Sequence, residues 1–350
     1  MSQSLNTSQG LQSGRIEYID ALRGFTMLLV VFHHVGSLCW HIKGLGISAH
    51  DYLIQVRMPM FFFISGFVLY KAGVVWNTQQ VIRFFRKKIP VQLIFPFIFF
   101  AVFLHVRKTP LSEAVFVHDK IGYWFTYVLF IYYVFYAAVR FCIRNKWSGP
   151  VLLALGGLLY LINWPPFYDS IPLPESVLGF LSVKQWRYFL FFVIGTLVRE
   201  HFPKVEQWLD SKWVLPVCIC TYFLVNAFSD MITLPSPVNN LITTLTGLVI
   251  LFSFFRLNRN SLSKEKVLGR TLQYVGRRTL DVYLIHYFLI PRNLDFITVF
   301  TDHPMPIIEA TVSFLIAILI TIGCLLIGNI IRLSPLLAHW VFGAKYPTKQ

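Results

Sequence analysis

Arg23 and His34 are the residues of this chain whose types and spacing could do chemistry. Both fall in the stretch from Asp20 to His34, where a histidine sits inside an otherwise apolar helical pattern. Eleven helical residues at about 100° each leave the two side chains about 20° apart in azimuth and roughly 16 Å apart along the axis, so they share a face. His33 falls about 80° from Arg23 and looks elsewhere. An imidazole titrates near neutrality and can take the proton of an attacking hydroxyl or amine. A guanidinium fork suits a phosphate or a carboxylate. An ionisable side chain deep in an apolar span is costly, and it usually faces a bundle interior or a water-filled cavity. Each residue has a plainer alternative: His34 as interhelical hydrogen-bonding glue, Arg23 as a surface anchor beside Asp20. Asp20 is also a candidate helix N-cap and can pair with Arg23 three residues later.

A second set lies between Gly276 and His286. Thr279, Tyr283 and His286 are spaced by four and three and line one helical face, whereas Asp281 points away from it. That face either orients a substrate or the first helix, or supplies helix-to-helix hydrogen bonds. Arg277 and Arg278 stand at its entry, and Arg86 and Lys87 belong to another basic run, Arg83 to Lys88. These cations suit a polyanionic ligand, and they equally suit anchoring of the next span. In Arg57 to Phe67, Pro59 permits a kink and the small pair Ser65-Gly66 permits close helix approach, which reads as packing.

The elements that must position these residues are membrane helices. The chain of 350 residues is 56% hydrophobic and only 13% charged, against about a quarter charged in ordinary soluble domains. Apolar runs occur at 19–40, 53–70, 89–106, 122–141, 149–164, 186–199, 213–230, 237–255, 279–297 and 306–331. They predict an all-α membrane protein, a single-domain bundle of about ten transmembrane helices. With the N-terminus inside, the Lys and Arg residues crowd into the segments on that side, most densely Arg83 to Lys88 and Arg256 to Arg278. Both termini are therefore expected in the cytoplasm, with Arg23 near that surface and His34 deeper.

The net charge of +15 is scattered between apolar spans, which points to topology and anionic lipid and not to nucleic acid. Five cysteines fall in or beside apolar runs without metal-ligand partners, so neither a metal site nor a disulfide framework is expected. No cleavable signal peptide is expected, since the polar N-terminal segment leads into a run long enough to span. The Pro-rich segment Asn163 to Gln185 is nearly uncharged. It is a lid, an acceptor-binding segment or a structural connection.

The motifs Asp20-Ala-Leu-Arg-Gly24 with His34, Met58 to Phe67, the basic run into Pro90 to Pro96, Trp124-Phe125, Phe191 to Gly195 and Gly276 to His286 resemble the acyltransferase-3 family of integral membrane acyltransferases. That family includes bacterial polysaccharide O-acetyltransferases. The likeness is spread over most of the chain, and it departs at Thr126, where the family often has Leu, and at the acid Asp281. The resemblance implies a bacterial inner-membrane enzyme that moves an acyl group, commonly acetyl, from cytoplasmic acyl-CoA to a carbohydrate hydroxyl. His34 would be the catalytic histidine, Arg23 would share in catalysis by stabilising the site or would engage the coenzyme, and Arg86, Lys87, Arg277 and Arg278 would engage the coenzyme. Asp20, Ser65, Trp124, Tyr283 and His286 would support the substrate or the site. Acyl-CoA is then a co-substrate, and no cofactor is bound permanently. The rival readings are a non-catalytic carrier or flippase of a glycan or lipid precursor, and a structural subunit. Few intramembrane acids and no clear internal repeat weigh against a carrier.

Overall fold

A computed structural model describes residues 16–40, 49–228, 234–291, 294 and 306–342. Among these residues the chain is helical, with no strand. In order, the α-helices are α1 (Glu17–Cys39), α2 (Ala49–Leu69), α3 (Thr78–Ile89), α4 (Phe95–Arg107), α5 (Leu111–Val115), α6 (Trp124–Cys142), α7 (Ser148–Leu161) and α8 (Glu175–Phe180). They continue as α9 (Phe189–Glu200), α10 (Phe202–Leu209), α11 (Val214–Ala227), α12 (Ser236–Leu257), α13 (Val267–Arg277), α14 (Thr279–Leu289), α15 (Pro306–Leu333) and α16 (Pro335–Phe342).

Among the described residues, five helical stretches are long and apolar enough to cross a membrane: Glu17–Cys39, Thr78–Arg107, Trp124–Cys142, Ser236–Leu257 and Ile307–Leu333. A sixth arises if α10 and α11, which meet at a 75° bend, count as one broken span. The differences from the predicted runs have local causes. α7 and α9 hold 14 and 12 residues, short of the ~20 that a straight crossing needs. The predicted run 89–106 extends back to Thr78, so the basic residues Arg83 to Lys88 belong to the helix and not to a loop before it. Asn77 caps that helix, its side-chain oxygen accepting from the Gln80 amide at 2.9 Å. Pro96 has no amide hydrogen to return to the Gln92 carbonyl, and the ladder widens into a π turn at Pro90–Ile94, closed by the Phe95 amide on Pro90. Both chain ends, Lys43 and Arg292, on which the predicted orientation drew, lie outside the described residues, as does part of 290–297.

The chain divides into two compact units, residues 1–64 with 201–328 and residues 65–200 with 329–350. In the first, α1 is the central helix, with Ala21, Leu22, Val31, Val35 and Cys39 fully buried. Its closest neighbour is α13. A Cβ on Gly24 would lie 2.0 Å from the Leu272 carbonyl oxygen, and one on Gly276 would lie 1.9 Å from the Asp20 carbonyl oxygen. Glycine is therefore required at both positions of this crossing. α12 adds edge-on contacts between Tyr18 and Phe252 and a tilted pair of Phe25 and Phe255. On α12 the buried Arg256 pairs with Glu206 of α10, at 3.3 Å, and with Asp210, the residue that follows α10. The Trp40 indole donates to Ser313 Oγ of α15 at 3.0 Å.

In the second unit, α6, α7 and α9 pack through Tyr132, Phe189, Phe192 and Gly156. Gly66 meets the Phe192 carbonyl, where a Cβ would come to 2.0 Å, so the Ser65-Gly66 pair serves close helix approach as its sequence implied. Arg140 joins Glu200 at 2.7 Å and Ser148 at 2.9 Å.

The connections of this unit are built round Lys120. Its Nζ donates to the carbonyls of Val115, Val117, Gly179 and Phe180 at 2.6 to 3.1 Å. The Pro-rich segment Asn163 to Gln185 carries α8 and a cluster outside the membrane-length helices. Glu175 accepts from Lys184 at 3.1 Å and from Tyr168 at 3.1 Å, and it lies 3.0 Å from His118 Nε2. The Lys184 amide reaches His118 Nδ1 at 3.4 Å. Hydrogen bonding, first from Lys184, holds the Glu175 carboxyl below its usual range. Burial pushes the His118 imidazole down from its ordinary 6.5.

Candidate active site

α1 and α14 together build the site. The start of α14 is set by α13: Arg278 alone separates the two helices, and α13 is fixed against α1 by the reciprocal glycine contacts. Arg278 also pairs with the buried Asp281 at 3.2 Å, tying the junction to the first turn of α14. Asp281 in turn packs on Gly328 of α15, where a Cβ would stand 3.1 Å from its carboxylate. This local frame presents the C-terminal half of α14 to the later turns of α1.

There His34 meets two residues of α14. The hydroxyl of Tyr287 lies 2.9 Å from His34 Nε2, and the rings are 4.9 Å apart between centroids. The His286 ring lies 5.4 Å from that of His34 and 4.1 Å from that of Tyr287. His286 is fully buried, and its Nδ1 sits 2.8 Å from the Tyr283 carbonyl and 3.0 Å from the Val282 carbonyl. Carbonyls only accept, so Nδ1 carries the hydrogen and Nε2 keeps the lone pair. That buried Nε2 finds no hydrogen-bond partner among the described residues. His33 lies beside His34 at 5.3 Å, and Arg57 of α2 is close enough to act electrostatically on the His34 ring.

Other predicted residues are placed as follows. Arg23 is half-buried about three helical turns before His34 on α1, and Arg277 is exposed at the end of α13. Asp20 is buried in the first turn of α1. It is not the N-cap, because the helix begins at Glu17 after Ile16. Tyr283 is buried one turn before Tyr287 and contributes its carbonyl to His286. Arg86 and Lys87 are exposed on α3, Ser65 is buried near the end of α2, and Trp124 stacks on Tyr188 at 6.0 Å; these four belong to the second unit. Among the described residues no group of His, Cys, Asp or Glu gathers as metal ligands.

The sequence reading missed Tyr287 and Arg57. Tyr287 follows Tyr283 by four, so the spacing that selected Thr279 and Tyr283 extends to it. Arg57 lay inside a motif read as packing. Chemically, the cluster offers an imidazole oriented by a phenol, a second imidazole nitrogen able to accept a proton, and a nearby cation.

The acyltransferase-3 family model, described as an acyltransferase domain, matches residues 16–328. The chain belongs to this family of membrane acyltransferases, and its apolar helices make it a multi-pass integral membrane protein. It is similar to the glucans biosynthesis protein C of Salmonella schwarzengrund (strain CVM19633), at 23% identity over 382 residues. The alignment covers 95% of this chain and 96% of that protein. The glucans biosynthesis proteins C of Salmonella typhi and Salmonella heidelberg (strain SL476) match with the same identity and coverage. No solved structure matches the chain.

Proposed function

We propose that the protein transfers an acyl group, with acetyl as the default, from cytoplasmic acyl-CoA to a hydroxyl of a carbohydrate or cell-envelope glycan. The observation that carries this reading is the hydrogen bond between His34 Nε2 and the Tyr287 hydroxyl on the buried face shared by α1 and α14. The name of the similar Salmonella proteins supports a glucan-like acceptor. Ten membrane crossings, both termini in the cytoplasm and residence in the bacterial inner membrane complete the proposal, supported by the apolar runs and the distribution of Lys and Arg.

In this mechanism the reactive tautomer is the one in which the Tyr287 hydroxyl accepts from His34 Nε2–H and Nδ1 holds the lone pair. His34 Nδ1 takes the proton of the acceptor hydroxyl as its oxygen attacks the thioester carbonyl. The carbon–sulfur bond breaks, and the imidazolium returns the proton to the departing coenzyme A sulfur. General base catalysis of this kind contributes about 10² to 10⁴-fold. Arg57, a cation that acts electrostatically on the His34 ring, is the residue proposed to stabilise the negative charge on the carbonyl oxygen in the transition state. Arg23, with Arg277 and Arg278, is proposed to bind the coenzyme phosphates.

The test uses purified protein in proteoliposomes with radiolabelled acetyl-CoA. Slow release of coenzyme A, and label transfer to an added glucan, are expected. A protein that neither binds coenzyme A nor hydrolyses the thioester, yet moves glycan or lipid across the bilayer, would replace the enzyme with a carrier.

A further inference from the structure

In the second unit, α3 carries Arg83, Arg86, Lys87 and Lys88 without an acid, and residues 65–112 hold no Asp or Glu. With Arg83 taken as zero, Lys87 lies at about 40° and Arg86 at about −60° around the helix, so the three share an arc of about 100°. All three are exposed, and none pairs with an acid among the described residues. Lys88 turns the other way, its Nζ 3.4 Å from the Tyr133 hydroxyl. On that side Phe84 and Phe85 pack against Tyr133 and Phe130 of α6. Ile82 and Ile89 are exposed and lie at about −100° and −120°, beside Arg86. The free surface of α3 is therefore a strip of cations bordered by a strip of isoleucine.

The depth of that surface follows from the helix that continues it. The stretch Thr78–Arg107 is helical through the π turn, and residues 89–106 hold no Asp, Glu, Lys or Arg. This uncharged length rises ~27 Å, close to the ~30 Å hydrocarbon thickness of a bilayer, and Arg107 and Lys108 stand at its far end. The cations from Lys87 back to Arg83 then fall ~3 to 9 Å beyond the hydrocarbon, where the headgroups lie. Like charges three and four residues apart destabilise a helix, and Arg83 stands so to both Arg86 and Lys87. The helix runs on into the π turn, so no helix end offsets them. An anion at headgroup depth does. The isoleucines identify its source: a soluble phosphate leaves them uncovered, whereas a phospholipid lays its acyl chain over them.

We propose that this face of α3 binds an anionic phospholipid of the bilayer, its phosphodiester among Arg83, Arg86 and Lys87 and its acyl chain against Ile82 and Ile89. The proposal does not rest on the acyl-transfer reading. The test uses the full-length protein in phosphatidylcholine proteoliposomes doped with phosphatidylglycerol or phosphatidylcholine, either one carrying a diazirine in an acyl chain. Each cation near an anionic surface is worth about fivefold in binding, so phosphatidylglycerol should label peptides covering 78–98 by about 10 to 10²-fold more than phosphatidylcholine. Raised salt should shrink that preference. Arg83→Gln, Arg86→Gln and Lys87→Gln combined should abolish it while labelling by phosphatidylcholine is unchanged, and Lys87→Arg should keep it. Equal labelling of these peptides by the two lipids in the unaltered protein would overturn the proposal, a comparison that needs no variant to fold. A folded triple variant that keeps the preference would do the same. So would displacement of the phosphatidylglycerol probe by excess coenzyme A, which would give the face to a soluble phosphate ligand.

Discussion

Replacing Gly24 by alanine tests whether the crossing of α1 and α13 positions the site. The added Cβ would lie 2.0 Å from the Leu272 carbonyl oxygen and 3.0 Å from the Gly276 amide nitrogen, whereas real Cβ atoms essentially never approach closer than 3.0 Å. The obstacle is backbone, so no side chain can swing aside, and the helices must part by at least about 1 Å. Overpacking of this sort typically costs ~1–3 kcal/mol. The larger effect is expected on activity. α14 follows α13 after a single residue, so a shift of α13 carries His286 and Tyr287 away from His34, and a misplacement of ~1 Å can cost about 10²-fold in rate. The assay measures melting temperature in detergent alongside acetyl transfer from acetyl-CoA. Gly157→Ala on α7 is the control, since nothing lies within 4 Å of its added carbon; it should leave activity unchanged and slightly favour the helix. A Gly24→Ala protein with wild-type melting temperature and wild-type transfer would refute the positioning role.

Tyr287→Phe removes the hydroxyl from His34 and should lower kcat with little change in KM, by about fivefold for a bond worth ~1 kcal/mol, in steady-state kinetics. Lys120→Met deprives four carbonyls of their donor and should destabilise the connections of the second unit by ~1–3 kcal/mol or more, seen as faster proteolysis between residues 111 and 185. Acidification should loosen the same region in two stages. Both His118 and Glu175 have folded-state pKa values below their unfolded ones, so their contribution is full above the unfolded values and is lost as pH falls. The first loss begins below about 6.5 through His118 and the second below about 4.5 through Glu175. Hydrogen exchange of 163–185 should accelerate accordingly, and His118→Gln should remove the first stage only.

Several elements were legible because they depend on local rules. The span of α1 follows from an unbroken apolar run, and the common face of Arg23 and His34 follows from helical arithmetic. Gly24 and Gly276 were visible as motif positions, but their purpose was not: a contact between residues 252 apart in sequence is a tertiary fact. Tyr287 obeys the same i, i+4 rule that relates Thr279 to Tyr283, but its contact with His34, 253 residues away in sequence, is set by the packing of α14 on α1. The basic residues Arg83 to Lys88 read as a loop because charge marks the ends of spans. They are helical because their charges can lie outside while Asn77 caps the start and Pro90 and Pro96 are absorbed by a π turn. Lys120, an ordinary loop cation in the sequence, becomes a cross-link once Gly179 lets the chain pass close to Phe116.

The central claim is that His34 is the base. It is tested most directly by single-turnover transfer of labelled acetyl from acetyl-CoA, comparing wild type with His34→Ala of matched melting temperature. The account predicts that the variant still binds coenzyme A while its transfer rate falls by about 10² to 10⁴-fold. Transfer at the wild-type rate by a folded His34→Ala protein would contradict it.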